Sequence, residues 1–184
     1  MRVIAGKARS LQLKTPVGLE TRPTTDRIKE TLFNMISTIV PGSIFVDLFS
    51  GSGAIGIEAL SRGAKHAYFV ESAAEANKCI VQNLNFTKLD QDATLIKQDV
   101  LRALMQISES HVDIIFMDPP YRAGIEEEVL KVLMERPYVD EETTIIVEAL
   151  LDHDFSFVCD LGYEIVREKC YKTNKHVFIR RMEK

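Results

Sequence analysis

From Ile44 onward the chain alternates short apolar runs with longer amphipathic ones, and that alternation leaves few folds open. Ile44–Phe49, Ala67–Val70, Ala93–Ile96, Ile114–Met117 and Thr143–Val147 read as strands buried on both faces. The stretches near 54–62, 73–86, 99–107 and 124–135 read as helices between them. Strands that alternate with helices predict an α/β architecture, a parallel sheet covered on both faces. Tyr163–Cys170 and His176–Arg181, around Lys172-Thr173-Asn174, predict an antiparallel hairpin on one edge. With 184 residues and 46% hydrophobic content, the chain suits one well-packed main domain. No run of roughly 18 apolar residues suggests a membrane span. The opening MRVIAGKARSLQLK lacks the apolar core of a signal peptide, so a cytoplasmic protein is expected.

Residues before 44 break the alternation. Arg2–Ile4 and Leu11–Leu13 could pair as short strands, and Thr24-Thr25-Asp26 supplies capping groups for a helix start. Ile28, Leu32, Met35, Ile36 and Ile39 then give one apolar stripe at helical spacing. Residues 1–40 therefore read as a basic extension and helix, and residues 41–184 as the main domain. Charge is segregated in the same way. Residues 1–36 hold seven Lys/Arg against three acids, and so do residues 163–184, leaving a net of −12 between them. Two basic ends can attract a polyanion if the fold brings them together; charge alone is equally consistent with surfaces that keep the chain soluble.

Val46-Asp47-Leu48-Phe49-Ser50-Gly51-Ser52-Gly53-Ala54-Ile55-Gly56 is a strand, a glycine-rich turn and a helix start. By the glycines alone it could seat a dinucleotide pyrophosphate. Asp47, at the strand's carboxyl end, turns the reading away from an anion and toward a cationic ammonium. Glu71, after the next strand, can accept bonds from ribose hydroxyls, which suits NAD as well as S-adenosylmethionine. Asp99 could accept an adenine amino group, with Val100 offering its backbone N–H, or it could simply cap a helix; the two roles are compatible.

Ile114-Ile115-Phe116-Met117-Asp118-Pro119-Pro120-Tyr121 is the most specific string in the chain. In a doubly wound sheet, ligands gather at the carboxyl ends of the strands, so Asp118 should face the crevice that Asp47 faces. Two prolines stiffen the backbone and remove two N–H donors. An exocyclic amine on a base is a poor nucleophile because its lone pair is delocalised into the ring. Acceptors on Asp118 and the Pro119 carbonyl could bond its hydrogens and favour a tetrahedral nitrogen aimed at a methyl donor. Tyr121 could stack on the base, and Asp118 could receive the released proton.

These motifs carry a resemblance. Asp47–Gly53 and Asp118–Tyr121 resemble the cofactor and catalytic motifs of class I methyltransferases that act on amino nitrogens. Arg22-Pro23-Thr24-Thr25-Asp26-Arg27-Ile28-Lys29-Glu30-Thr31-Leu32-Phe33-Asn34, together with Asp47–Ala64, is similar to bacterial 16S rRNA guanine-N2 methyltransferases of the RsmD type. The resemblance runs from about residue 1 to 180. It implies a Rossmann-like, mostly parallel seven-stranded sheet with a small N-terminal extension that helps hold rRNA. It also implies S-adenosylmethionine as donor, S-adenosylhomocysteine as product, no metal, and 16S rRNA or an assembling small subunit as partner. Catalysis then falls to Asp118, Pro119, Pro120 and Tyr121, and cofactor binding to Asp47, Phe49, Gly51, Gly53, Glu71, Asp99, Val100 and Asp118. RNA contacts fall to Arg2, Lys7, Arg9, Arg22, Thr25 and Arg27, although Thr25 and Arg27 could instead only support their helix. The chain departs from the family pattern where Ala5-Gly6, Arg9-Ser10 and Tyr171-Lys172 replace Gly-Gly, Arg-Gly and Tyr-Gly.

Rival readings are few. Asp-Pro-Pro-Tyr also occurs in DNA adenine and cytosine amino-methyltransferases, but those commonly carry a target-recognition region that 184 residues hardly accommodate. A protein-glutamine methyltransferase would be expected to have Asn at position 118. A non-catalytic RNA-binding module would not need Asp118–Tyr121 or Gly51 and Gly53 intact. Cys79, Cys159 and Cys170 form no CxxC pair, and His66, His111, His153 and His176 are scattered, so all seven read as ordinary core or surface residues. No obligate protein partner is evident.

Overall fold

The computed structural model describes residues 1–16, 25–120 and 124–183. Seven strands form one sheet: β1 (Ile44–Leu48), β2 (His66–Val70), β3 (Ala93–Ile96), β4 (Ile114–Met117), β5 (Thr144–Leu150), β6 (Tyr163–Cys170) and β7 (Asn174–Arg181). Their order is β3-β2-β1-β4-β5-β7-β6. The first five are parallel, and β7 joins β5 antiparallel and carries β6 on the outer edge. The sequence reading of a parallel sheet with a terminal hairpin holds. Strand order reverses between β1 and β4, the switch point where open α/β sheets place ligands.

The helices are α1 (Asp26–Met35), α2 (Ala54–Ser61), α3 (Ala74–Thr87), α4 (Val100–Ala103), α5 (Glu126–Met134) and α6 (Phe157–Asp160). Alternate residues of the strands inside the sheet's β6 edge feed two cores. Phe45, Ala67, Phe69, Ile114, Phe116, Ile146 and Phe178 pack with α1, α2 and α3. Val46, Leu48, Val70, Ile115, Met117, Val147 and Ile179 pack with α4, α5 and α6. Period-two alternation with apolar residues at both phases requires cover on both faces, and the helices supply it.

Three local expectations shift. Arg2–Ile4 and Leu11–Leu13 form only an isolated antiparallel bridge between Arg2 and Gln12, because residues 5–10 coil back as turns. The helix expected over 99–107 closes at Ala103 and continues as turn. The α1 stripe is rotated: Lys29, Leu32 and Phe33 are its buried residues, Ile36 is buried just beyond it, and Ile39 is 40% exposed. A lysine on the core face is what the apolar periodicity could not anticipate.

That lysine ties the first residues to α2. Lys29 and Glu58 are both fully buried and lie 3.1 Å apart. The Glu58 carboxylate also accepts the Ile4 and Ala5 N–H groups at 2.8 and 3.0 Å and the Arg62 Nε–H at 2.7 Å. Lys29 Nζ donates to the Arg2 carbonyl at 2.6 Å. Burial pulls the Lys29 ammonium below its ordinary value, and the Glu58 carboxylate works against that fall. Lys7 N–H donates to the Ser61 carbonyl at 2.8 Å, so the N-terminal segment lies along the end of α2.

Candidate active site

The sheet register gathers the acids. Asp47 pairs with Phe116, Phe116 with Ile146, Ile146 with Phe178, and Glu148 with His176. Phe45, Phe116, Ile146 and Phe178 belong to the core under α1, α2 and α3. By the same alternation Asp47, Glu148 and His176 project onto that face, at its carboxyl-end rim. Asp118 follows Met117, which pairs with Val147, so Asp118 stands beside Glu148.

Asp47 is 2% exposed, and its Oδ2 accepts the Gly56 N–H at 2.9 Å. Burial pushes its carboxyl up to about 7; the Gly56 bond opposes the rise and the Glu71 charge adds to it. The acid expected to meet a cation thus also fastens the first turn of α2. Helix and strand can come this close because residue 56 is glycine: a Cβ there would sit 2.4 Å from the Phe69 ring.

Between β1 and α2 the chain turns sharply. Phe49, Gly51 and Gly53 have φ of 63°, 54° and 78°. Phe49 therefore holds a left-handed conformation that costs a non-glycine residue on the order of 1 kcal/mol, a strain of the kind that collects at ligand sites. Glu71 closes the turn with both oxygens, accepting the Gly51 N–H at 2.9 Å and the Ala73 N–H at 2.8 Å. One carboxylate thereby fixes the glycine turn against the start of α3.

Asp99 caps α4, accepting the Arg102 N–H at 3.1 Å, and its other oxygen lies 3.4 Å from Arg102 Nε. The capping alternative is realised, and the carboxylate remains half-exposed beside buried Val100.

Asp118 is half-buried, Pro119 buried and Pro120 exposed. Burial, then the Glu148 charge, then the Asp47 charge push the Asp118 carboxyl well above the usual carboxylate range. The described residues place no hydrogen-bond donor on it. Tyr121 and Arg22, both expected in the site, lie outside the described residues.

Sequence reasoning missed Glu148 and His176. The reading ended the fifth strand at Val147, one residue short of the acid, whereas β5 runs on to Leu150. A Glu inside an apolar strand was the available signal. Glu148 is 3% exposed and His176 fully buried, joined Nε2 to Oε2 at 3.1 Å. Among the other expected residues, Arg2, Lys7, Arg9 and Arg27 are exposed. Arg2 pairs with Asp26 at 3.0 Å, and Thr25 caps α1 by accepting the Ile28 N–H at 3.4 Å.

A buried acidic rim at the switch point, a glycine turn closed by a second acid and an Asp-Pro-Pro corner suit a cationic nucleoside donor. Comparison with known proteins decides the family. The family model described as "Conserved hypothetical protein 95" matches residues 1–180. Ribosomal RNA small subunit methyltransferase D of Escherichia coli (strain K12) is 34% identical over 169 residues, covering 92% of this chain and 84% of that protein. The chain belongs to this family. A Bacillus subtilis relative named as a candidate rRNA methyltransferase, YlbH, is 39% identical over 150 residues, covering 80% of this chain and 82% of its own length. The solved structure of an Escherichia coli protein described as a candidate methyltransferase, yhhF, superposes with a TM-score of 0.83 at 30% identity, covering 100% of this chain and 99% of that one. Membership of the small-subunit methyltransferase D family accounts for the Rossmann-like sheet, and the chain is a methyltransferase.

Proposed function

We propose that this protein transfers one methyl group from S-adenosylmethionine to the exocyclic N2 amine of a guanine in 16S rRNA. The observation that carries the reading is Asp118, an acid of raised proton affinity at the end of β4, beside Asp47 and Glu148 and next to two prolines. Among the described residues no lysine or arginine forms an ion pair with Asp47 or Asp118, so the donor set fits a cationic ligand. Asp47 and Glu71 would hold the amino-acid and ribose ends of that ligand, with Asp99 and Val100 at its adenine. Bound there, S-adenosylmethionine supplies an electrophilic methyl on a sulfonium.

Asp118 and the Pro119 carbonyl then accept the two hydrogens of the amine. Acceptors on both N–H bonds draw nitrogen toward a tetrahedral shape and make its lone pair available. Acceptance requires the carboxylate form, so methyl transfer rises with pH through a midpoint above the ordinary carboxylate range. Tyr121 would stack on the base.

For RNA, we assign the exposed Arg2, Lys7, Arg9 and Arg27, with Arg22 and Thr25, to an N-terminal contact surface spanning residues 1–40. Its anchoring on Glu58 supports a preformed arm, and phosphate contacts of that kind make binding salt-dependent. The work is placed in the cytoplasm, on rRNA or an assembling small subunit.

The test is incubation with labelled S-adenosylmethionine and small-subunit particles from a strain lacking the protein. Label in 16S rRNA is the expected result. Label in DNA, or none in 16S rRNA, overturns the reading.

A further inference from the structure

The rim holds a side-chain chain that the reading above does not use. Tyr171 O–H donates to His176 Nδ1 at 3.0 Å, and His176 Nε2–H donates to Glu148 Oε2 at 3.1 Å. The tautomer with its proton on Nε2 satisfies both bonds. Asn174 Nδ2 donates to Glu148 Oε1 at 2.5 Å. Glu148 and His176 are a register pair of β5 and β7, and the His176 ring is held edge-on against Phe116, two residues before Asp118. Tyr171 is half-buried, at the turn between β6 and β7. A buried carboxylate with a donor on each oxygen is held in one orientation, and here it stands next to the acid assigned to the amine.

We propose that Glu148, clamped by Asn174 and by the His176–Tyr171 pair, is a positioning residue of the methyl-transfer site whose negative charge makes Asp118 a stronger acceptor for the amine's proton. The inference rests on the assignment of Asp118 above. As the amine's lone pair forms the new N–C bond, the methyl's C–S bond breaks with its pair left on sulfur. One N–H bond then gives its proton to Asp118, and that pair returns to nitrogen. A like charge beside Asp118 raises its affinity for this proton. Among the described residues, the charged groups facing Asp118 are Asp47 from β1 and Glu148 from β5, with His176 and Asn174 of β7 behind Glu148. Lys175, the adjacent cation on β7, bonds Glu168 of β6 at 3.3 Å instead.

The test compares Glu148→Gln with the unmodified protein in two measurements. The first is kcat against pH on small-subunit particles. Removing the charge should lower the high-pH plateau roughly tenfold and move the acid limb to lower pH by about one unit, with the cofactor Kd within a few-fold. A purely structural role would lower kcat with no movement of the limb, and that outcome overturns the inference. The second is the carboxyl NMR titration of Asp118 in the protein without substrate. Its midpoint should fall in Glu148→Gln; an unchanged midpoint overturns the proposal whether or not the particles are substrates. Failure of the unmodified protein to label the particles would instead sink the rRNA reading. Tyr171→Phe, at a half-buried position, covers the case in which Glu148→Gln does not fold. It should reduce kcat a few-fold at unchanged cofactor Kd, and unaltered kcat contradicts the clamp.

Discussion

Two carboxylates on neighbouring parts of the sheet's rim live in opposite circumstances. Glu71, which we assign to the cofactor, has a backbone N–H on each oxygen, from Gly51 and from Ala73. Asp118, which we assign to the methyl acceptor, has no donor among the described residues and has Glu148 and Asp47 as like-charged neighbours. The first arrangement fixes a loop and leaves each oxygen a lone pair for a further donor. The second leaves a half-buried acid facing two like charges, which raises its affinity for a proton. We read the first arrangement as serving binding and the second as serving chemistry.

Breaking the acceptor side should have the largest effect. Asp118→Ala should lower kcat by at least about 10²-fold, the scale for removing one preorganised hydrogen-bonding group. Cofactor affinity, read by calorimetry, should stay within a few-fold; if it collapses, Asp118 belongs to the binding half. Glu71→Ala should do the reverse. Loosening the Gly51 turn should weaken cofactor binding by roughly tenfold, with kcat at saturation less affected, the pattern of lost ground-state binding.

Asp47 belongs partly to both halves, and its proton sharpens the comparison. Its folded value of about 7 lies above the ordinary 3.8, so between those pH values the native state holds a proton that the unfolded chain has released. Stability from this group is full below the ordinary value and is lost as pH rises toward 7. Asp47→Asn keeps an oxygen for the Gly56 N–H and removes that loss. The variant should gain up to about 4 kcal/mol at pH 8, at 1.36 kcal/mol per pKa unit, and nothing below pH ~4. Melting temperatures across pH measure it, and a constant difference between the two proteins would contradict the buried-acid account.

The smallest expected effect lies in the N-terminal segment. Ser10 has φ of 70°, in the left-handed region that favours glycine. Ser10→Gly should stabilise the fold by about 1 kcal/mol through relief of left-handed strain, seen in chemical denaturation; no gain would place other compensation at that turn.

How much of this was legible in the sequence follows from what periodicity can see. Apolar runs show where strands lie, so Ala93–Ile96 and Ile114–Met117 matched residue for residue, and the glycine turn and Asp118 stood out as motifs. Polar groups buried by tertiary contact leave no such pattern. Lys29 counts in the sequence only as one of the seven basic residues of positions 1–36, because its partner, Glu58, lies in α2 and only the fold brings them together. His176 read as a stray histidine because Glu148 is 28 residues away and meets it only through the β5–β7 register. Asp47 was read for its ligand, whereas its bond to Gly56 is a matter of packing between β1 and α2.

The proposed function has the site present two acceptors to an amine, and the chemical identity of the product tests that most directly. Nuclease digestion of 16S rRNA methylated by this protein, followed by mass spectrometry of the nucleosides, should yield N2-methylguanosine. Methyl on a ring nitrogen or a ribose hydroxyl would contradict the account, because neither of those needs acceptors on two hydrogens of one nitrogen.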